Sequence, residues 1–139
     1  IACGEGLSWN QQDVEQHGHS MECRVNAENP NTFMPSPGVI SMIRLPVGDG
    51  PGIRVDSACE VGTEITPHYD SLIAKIITHG RNRSETIARM RRALQTTIIK
   101  GVDTTIPFHL EVLDHPDFLA GNVCTDFVDR MIEQRGRSV

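Results

Sequence analysis

The stretch that decides the fold is His19-Ser20-Met21-Glu22-Cys23-Arg24-Val25-Asn26-Ala27-Glu28, near the start of the 139-residue chain. Apolar and polar side chains alternate along it, which is typical of a strand buried on one face. The apolar positions are Met21, Cys23, Val25 and Ala27, and the polar positions are Ser20, Glu22, Arg24, Asn26 and Glu28. We therefore predict a half-buried β-strand whose polar face includes Arg24.

Further strands are predicted on the C-terminal side of this stretch. A rigid turn at residues 35–38 precedes a second strand at 39–45, and the glycine-rich segment 48–52 predicts a hairpin loop into a third strand, 53–56. That segment matches no nucleotide-binding fingerprint, so a hairpin is favoured over a phosphate site. Residues 72–78 are nearly all apolar, which predicts a central strand covered on both faces.

Helix signals follow the strands. Ser84 is expected to cap a first helix that ends at Gly101. Its predicted apolar stripe consists of Ile87, Met90, Leu94 and Ile98. Pro107 suits the first turn of a second helix that runs to about Asp114, and residues 117–120 form another turn.

A last helix is predicted after Thr125 or Asp126. The residues expected to face inward are Phe127, Val128, Met131 and Ile132. An antiparallel sheet at residues 19–79 followed by packed helices at 84–135 defines an α+β domain. Residues 1–18 are expected to be a linker or the end of a preceding domain, and residues 136–139 a tail. Because the chain starts at Ile1 and not at Met, we expect a fragment of a longer protein.

Composition and charge argue against several classes of protein. Hydrophobic residues make up 38% and aromatic residues 4%, which suffices for one modest core. No run of 18 apolar residues predicts a membrane-spanning helix. The net charge of −5 argues against a general nucleic-acid binder. Five arginines between positions 81 and 92 could form a nucleic-acid patch, but without interleaved aromatic residues a solvated or partner-facing helix surface is favoured.

The cysteines and histidines give no metal or redox signal. The cysteines at positions 3, 23, 59 and 124 lack C-x-x-C spacing, so we expect reduced thiols in a cytoplasmic protein and no metal site. His17 and His19 are two residues apart but lack a third ligand at suitable spacing. His79, His109 and His115 are predicted to lie at the ends of elements and to be solvated.

Arg24 is the residue best suited to chemistry. Its neighbours Glu22 and Asn26 on the same strand face can hold the guanidinium rigid. A fixed guanidinium can donate bidentate hydrogen bonds to an anion or stabilise a developing oxyanion. The alternative is a surface salt bridge, which contributes little energy. Asp70, before the central strand, is interpreted either as a turn-capping residue or as the acceptor of an arginine's hydrogen bonds.

Several motifs that span nearly the whole chain resemble those of biotin-dependent carboxylases. They occur in order as GHSMECRVNAENP at 18–30, PSPG at 35–38, GIRVD at 52–56, YDSLIAK at 69–75, GVDTTIPF at 101–108 and FLAG at 118–121. The resemblance is to the C-terminal domain of biotin carboxylase, the ATP-grasp component of these enzymes. It covers about the last third of such an enzyme.

The resemblance implies roles for three residues. In this family ATP phosphorylates bicarbonate, carboxyphosphate breaks down to carbon dioxide, and biotin loses its ureido proton and attacks. Arg24 matches the family's arginine that contacts biotin and bicarbonate, where a fixed guanidinium stabilises charge on the ureido oxygen. Asp70 is a second candidate that orients Arg24 or forms the wall of the site. Arg54 matches a position near the homodimer interface.

The resemblance also implies cofactors and partners. Biotin would arrive on a biotin carboxyl carrier protein or domain. ATP and Mg²⁺ would bind only in the full-length enzyme, in the N-terminal and ATP-grasp domains, so the fragment alone is expected to be inactive. The full-length enzyme is expected to be a cytoplasmic homodimer that contacts neither nucleic acid nor membrane.

Three hypotheses for the whole protein remain open at this point. The favoured one is the biotin carboxylase subunit of acetyl-CoA carboxylase, which acts in fatty acid biosynthesis. A pyruvate carboxylase or another acyl-CoA carboxylase is the alternative, because this domain does not touch the acceptor of the carboxyl group. A non-catalytic module that dimerises or binds a carrier protein is an alternative of a different class.

Overall fold

The order of elements confirms the α+β class predicted from the sequence. The computed structural model describes residues 1–136. Its strands are β1 (His19–Asn26), β2 (Gly38–Val39), β3 (Met42–Arg44), β4 (Ile53–Asp56), β5 (Glu64–Ile65), β6 (Leu72–Gly80) and β7 (Ile98–Lys100). Its α-helices are α1 (Arg83–Thr96), α2 (Ile106–Asp114), α3 (Pro116–Ala120) and α4 (Phe127–Gly136).

A three-stranded antiparallel sheet in the order β1-β6-β4 forms the centre of the domain. Its buried face carries Met21, Cys23, Val25, Ala74, Ile76 and Thr78, with the side chains of β1 directly opposite those of β6. Helix α1 packs on this face, where the Thr78 hydroxyl donates to the Thr86 carbonyl at 3.3 Å. The alternation predicted for β1 is confirmed, because every second residue of the strand faces the core.

The opposite face of the sheet is polar and partly open. One row across it holds Arg24, Lys75 and Asp56. Along β6, Lys75 is half-buried and His79 is exposed. The central position predicted for β6 is confirmed, but its predicted cover on both faces is wrong. The isoleucines at 73, 76 and 77 make the strand look more deeply buried than its alternation with Lys75 and His79 allows.

The short strands pair differently from the predicted hairpin. β2 pairs with β5, and β3 pairs with β7, both antiparallel. β4 instead joins the central sheet beside β6. The glycine-rich segment 48–52 therefore connects strands of two different sheets, and the hairpin prediction is wrong. Local turn signals placed the bend correctly but held no information about partners more than 50 residues away.

Helix α1 begins and ends earlier than predicted. Its N-cap is Asn82, whose side-chain oxygen accepts a hydrogen bond from the Glu85 amide at 3.0 Å, and not Ser84. The helix ends at Thr96, and Ile98 belongs to β7. Consecutive β-branched residues at 96–99 favour extended structure, which explains the early end. The core stripe of the helix therefore stops at Leu94.

The arginine-rich segment contacts its own domain. Each contact joins an arginine to a carboxylate or a carbonyl: Arg81 and Arg89 to Glu85, Arg83 to the Phe118 carbonyl, and Arg91 to Asp114 and the Leu113 carbonyl. Arg89 also donates to the Pro51 and His79 carbonyls. These contacts favour attachment of α1 to its neighbours over the nucleic-acid patch considered above.

The C-terminal helices largely follow the sequence signals. Helix α2 has Pro107 in its first turn and ends at Asp114, as predicted. In α4, Phe127 and Met131 are buried, whereas Val128 and Ile132 are each 37% exposed, so the predicted inward face is too wide. Gly136 ends this helix, and the remainder of the predicted tail, residues 137–139, lies outside the described residues.

Residues 1–18 are exposed throughout, and their one regular element is a short 3₁₀ helix, Gln11–Asp13. Within the described part of the chain, no helix is both long and apolar enough to cross a membrane.

Candidate functional site

Arg24 projects from the polar face of β1, as the alternation predicts. Its side chain is 47% exposed, and its Nη2 donates to Asp70 Oδ2 at 3.2 Å. Asp70 lies in the loop that enters β6 and is 46 residues away in sequence. The two groups meet because β1 and β6 are antiparallel neighbours, with Asn26 opposite Leu72. The guanidinium is thus anchored at one end and open to solvent at the other.

The partners predicted for the guanidinium on its own strand are wrong. Asn26 donates from Nδ2 to Glu28 Oε1 at 2.9 Å. Within residues 1–136 the structure shows no hydrogen bond between Arg24 and Glu22. Side chains two apart on a strand stand nearly parallel, roughly 7 Å apart, so the loop carboxylate is better placed to meet the guanidinium.

Asp70 fulfils both interpretations offered for it. Its Oδ1 accepts from the Leu72 amide at 3.0 Å, which is the geometry of a turn-capping aspartate. Its Oδ2 accepts from Arg24. Because the first bond fixes the orientation of the carboxylate, the second oxygen stays aimed at the guanidinium.

Ser71 and Glu28 attach the Asp70 loop to β1, and sequence reasoning did not single them out. The Ser71 carbonyl accepts from the Ala27 amide at 2.7 Å. The Ser71 hydroxyl donates to Glu28 Oε1 at 2.5 Å. The available signal was their presence in the two motifs that also contain Arg24 and Asp70. These bonds hold the loop carrying Asp70 in register with the strand carrying Arg24.

The main chain of Arg24 is bound from the other side by α2. Its carbonyl accepts from Thr105 Oγ1 at 3.2 Å and from His109 Nε2 at 2.8 Å. The Thr105 hydroxyl also accepts from the Asn26 amide at 3.1 Å. The prediction that His109 is solvated is therefore wrong, because it lies within α2 and is half-buried. Burial lowers the pKa of His109, which favours a neutral ring.

Arg54 lies on the exposed edge strand β4, on the same sheet face as Arg24. Its Nε and Nη2 donate to the two Asp56 oxygens at 3.1 and 2.7 Å. These hydrogen bonds raise the pKa of Arg54 and lower the pKa of Asp56. A bidentate pair of this kind presents a rigid, planar surface, although it contributes little stability where it is exposed.

The other groups with chemical potential lie away from this site. All four cysteines are free. Burial, helped by the nearby Glu22 charge, raises the pKa of Cys23 to about 12, so its thiol stays protonated. Among the described residues, no three His, Cys, Asp or Glu side chains come together as ligands for a metal ion.

The arrangement defines an anion-binding wall. A guanidinium is always charged, and Asp70 occupies only part of its donor set, so its remaining N–H groups can face a carboxylate, a bicarbonate or an oxyanion. An α+β domain that presents one fixed arginine on an open sheet face is suited to completing a site, with other chemical groups supplied from outside these residues.

The biotin carboxylase C-terminal domain family matches residues 22–130, and the chain belongs to this family. The chain is 55% identical over 130 residues to biotin carboxylase 1 of Bacillus subtilis, which covers 93% of this chain and 28% of that protein. It is 48% identical over 130 residues to a pyruvate carboxylase subunit of Methanothermobacter thermautotrophicus, which covers 93% of this chain and 26% of that protein. The chain thus spans about a quarter to a third of the curated relatives it matches.

A solved structure gives the same result for the fold. The biotin carboxylase domain dimer of 2-oxoglutarate carboxylase from Hydrogenobacter thermophilus superposes with a TM-score of 0.89 at 45% identity. The match covers 94% of this chain and 28% of that one. That protein was solved in complex with MgADP, ADP and bicarbonate.

Proposed function

We propose that this chain forms one wall of a biotin carboxylase active site, in which Arg24 is the catalytic residue. The observation that supports this most directly is the anchoring of an exposed guanidinium at both ends, by Asp70 at the side chain and by α2 at the main chain. Membership of the biotin carboxylase C-terminal domain family supports it independently.

In this proposal Arg24 donates hydrogen bonds to bicarbonate and to the ureido oxygen of biotin, which is delivered by a biotin carboxyl carrier protein or domain. Negative charge grows on that oxygen when the ureido proton is removed. A guanidinium already fixed there stabilises the charge without reorganising, so it lowers the barrier more than it tightens ground-state binding. Asp70 orients Arg24 and is a positioning residue.

The remaining chemistry is proposed to lie outside this chain. We infer that ATP and Mg²⁺ bind to the N-terminal and ATP-grasp domains of the complete enzyme, and that the isolated chain is inactive. The related 2-oxoglutarate carboxylase domain, solved with MgADP and bicarbonate, supports this inference. A cytoplasmic location is proposed with it.

The acceptor of the carboxyl group separates two versions of this function. We propose the biotin carboxylase component of acetyl-CoA carboxylase, in fatty acid biosynthesis, which the match to Bacillus subtilis biotin carboxylase 1 supports. A pyruvate carboxylase is the alternative, supported by the 48% identity to the Methanothermobacter protein. Carboxylation assays of the complete enzyme with its carrier and either acetyl-CoA or pyruvate distinguish the two.

The test of the Arg24 role is Arg24→Lys in a complete biotin carboxylase that contains this chain. Lysine keeps the positive charge but loses the planar fork, so we expect the turnover of free biotin to fall by about 100-fold or more. The KM for ATP should stay within about twofold of its original value. Arg92→Lys, on the exposed side of α1, is the matched control. Unchanged turnover in Arg24→Lys would refute the role and favour a non-catalytic dimerisation or carrier-binding module.

We also propose that the sheet face around Arg54 contributes to a homodimer of the complete enzyme. The rigid Arg54–Asp56 pair on an exposed edge strand and the dimeric state named for the 2-oxoglutarate carboxylase domain support this. Arg54→Glu places like charges next to each other at Asp56 and should shift the enzyme toward monomer in sedimentation velocity. Arg92→Glu should leave it a dimer. An undiminished dimer in Arg54→Glu would contradict the assignment.

A further inference from the structure

We propose that His109 is a positioning residue for Arg24, acting through a hydrogen bond to the Arg24 carbonyl. This inference rests on the proposed function, because it matters to catalysis only if Arg24 is the catalytic arginine. His109 is 85 residues from Arg24 in sequence and lies on a different element. It touches no group proposed to meet substrate, so its effect must pass through the backbone of β1.

The bond from His109 has a defined direction. A carbonyl oxygen has no proton to give, so the ring nitrogen 2.8 Å away must be the donor. His109 therefore carries its proton on Nε2. Burial lowers the pKa of the ring, which is consistent with a neutral imidazole held in this single tautomer near pH 7.

The carbonyl of Arg24 needs such a partner because of where β1 lies. In the three-stranded sheet β1 is an edge strand, and β6 pairs with only one of its sides. The Arg24 carbonyl faces α2 on the other side, where Thr105 and His109 are its partners. The register of β1 also shifts between Val25 and Asn26, directly after Arg24. An edge strand with a local irregularity can move unless side chains fix it.

Small displacements of this backbone would be transmitted to the guanidinium. The side-chain anchor is a single ion pair between groups that are 47% and 65% exposed, which is weak. The main-chain bonds therefore decide where the side chain starts. A misplacement of about 1 Å can cost about 100-fold in rate. Since Thr105 still holds the carbonyl, we expect loss of the His109 bond to lower kcat by about 10-fold.

The activity test compares two substitutions in a complete biotin carboxylase that contains this chain. His109→Leu removes the donor, and we expect kcat with free biotin to fall about 10-fold while the KM for ATP stays within twofold. His109→Gln places an amide N–H at similar reach and should restore kcat to within about twofold of the wild type. His17→Leu, in the exposed N-terminal arm, is the control and should be unchanged.

Several outcomes would overturn the inference. Wild-type kcat in His109→Leu would show that the bond does not position Arg24. Equal impairment of the Leu and Gln variants would show that ring shape, and not donation, is required. If Arg24→Lys is inactive while His109→Leu is normal, the proposed function stands and this inference fails. If Arg24→Lys is fully active, the proposed function fails, and with it the catalytic relevance of His109.

A spectroscopic measurement keeps the inference testable if His109→Leu folds poorly. Long-range ¹H–¹⁵N spectra of the wild-type 139-residue chain report which ring nitrogen carries the proton. The expected signal for His109 is a protonated Nε2 with an unprotonated Nδ1. Observation of the Nδ1–H tautomer would exclude donation to the Arg24 carbonyl and would overturn the inference without any activity measurement.

Discussion

Replacing Thr105 by valine tests how firmly α2 holds β1. Thr105 is 5% exposed, and its hydroxyl donates to the Arg24 carbonyl and accepts from the Asn26 amide. Thr105 is the N-cap residue of α2 but makes no side-chain cap hydrogen bond, so valine removes no cap. Valine keeps the volume and the β-branch, which confines the change to the two hydrogen bonds.

The expected cost follows from which groups lose a partner. The Arg24 carbonyl retains His109, so its loss is small. The Asn26 amide loses its acceptor in a partly buried position, and an unsatisfied buried donor costs about 1–3 kcal/mol. We therefore expect Thr105→Val to lower the free energy of unfolding of the 139-residue chain by about 1–3 kcal/mol. That is a substantial share of a typical domain stability of about 5–15 kcal/mol.

The assay is urea unfolding of wild type and variant, followed by circular dichroism and compared at unchanged m-value. Thr97→Val is the matched control. Thr97 is 8% exposed, and its hydroxyl donates only to the Ala93 carbonyl four residues earlier at 2.8 Å. We expect this control to lose less than about 1 kcal/mol. If Thr105→Val loses no more than Thr97→Val, the hydroxyl does not support β1 and the reasoning is refuted.

Two further predictions concern stability. Hydrogen bonds from Arg81 lower the pKa of Glu85 to about 2 from an ordinary value of 4.5, so its stabilisation should be complete above pH 4.5 and lost as the pH falls towards 2. In urea unfolding, Glu85→Gln should therefore be less stable than wild type at pH 6 and converge with it near pH 2, with Glu5→Gln as the control; a gap that persists at pH 2 would contradict the linkage. Gly101 has φ of 104°, and an added Cβ would lie 2.0 Å from the Val39 carbonyl oxygen. Gly101→Ala should cost about 2–4 kcal/mol, from backbone strain and the displacement of β2. Gly48→Ala, at φ of 79° in open space, should cost only about 1–2 kcal/mol, and equal losses in the two variants would rule out the clash.

The parts of the fold that were predicted correctly depend on local periodicity. The alternation in β1 repeats every two residues, so it determined which side chains face the core and left Arg24 on the polar face. Pro107 marked the start of α2 because its fixed φ and missing amide suit the first turn. Such signals act over a few residues and do not depend on the remainder of the chain.

The errors arose where partners are distant. Segment 39–56 contains the turn signals of a hairpin, yet β3 pairs with β7 and β4 with β6. Ile98 continues the helical stripe in sequence, but pairing with Arg44 draws it into a strand. Tertiary pairing therefore overrode local patterns that were compatible with either structure.

The sequence by itself determined the class of fold, the polar face of β1 and, through its motifs, the family and the importance of Arg24. Only the tertiary structure decided what holds that arginine. Asp70 and His109 are 46 and 85 residues from it, and neither spacing nor propensity records a contact of that range. The physical reason is that a guanidinium is fixed by hydrogen bonds with directions and distances. Those are set when β6 pairs with one side of β1 and α2 packs against the other.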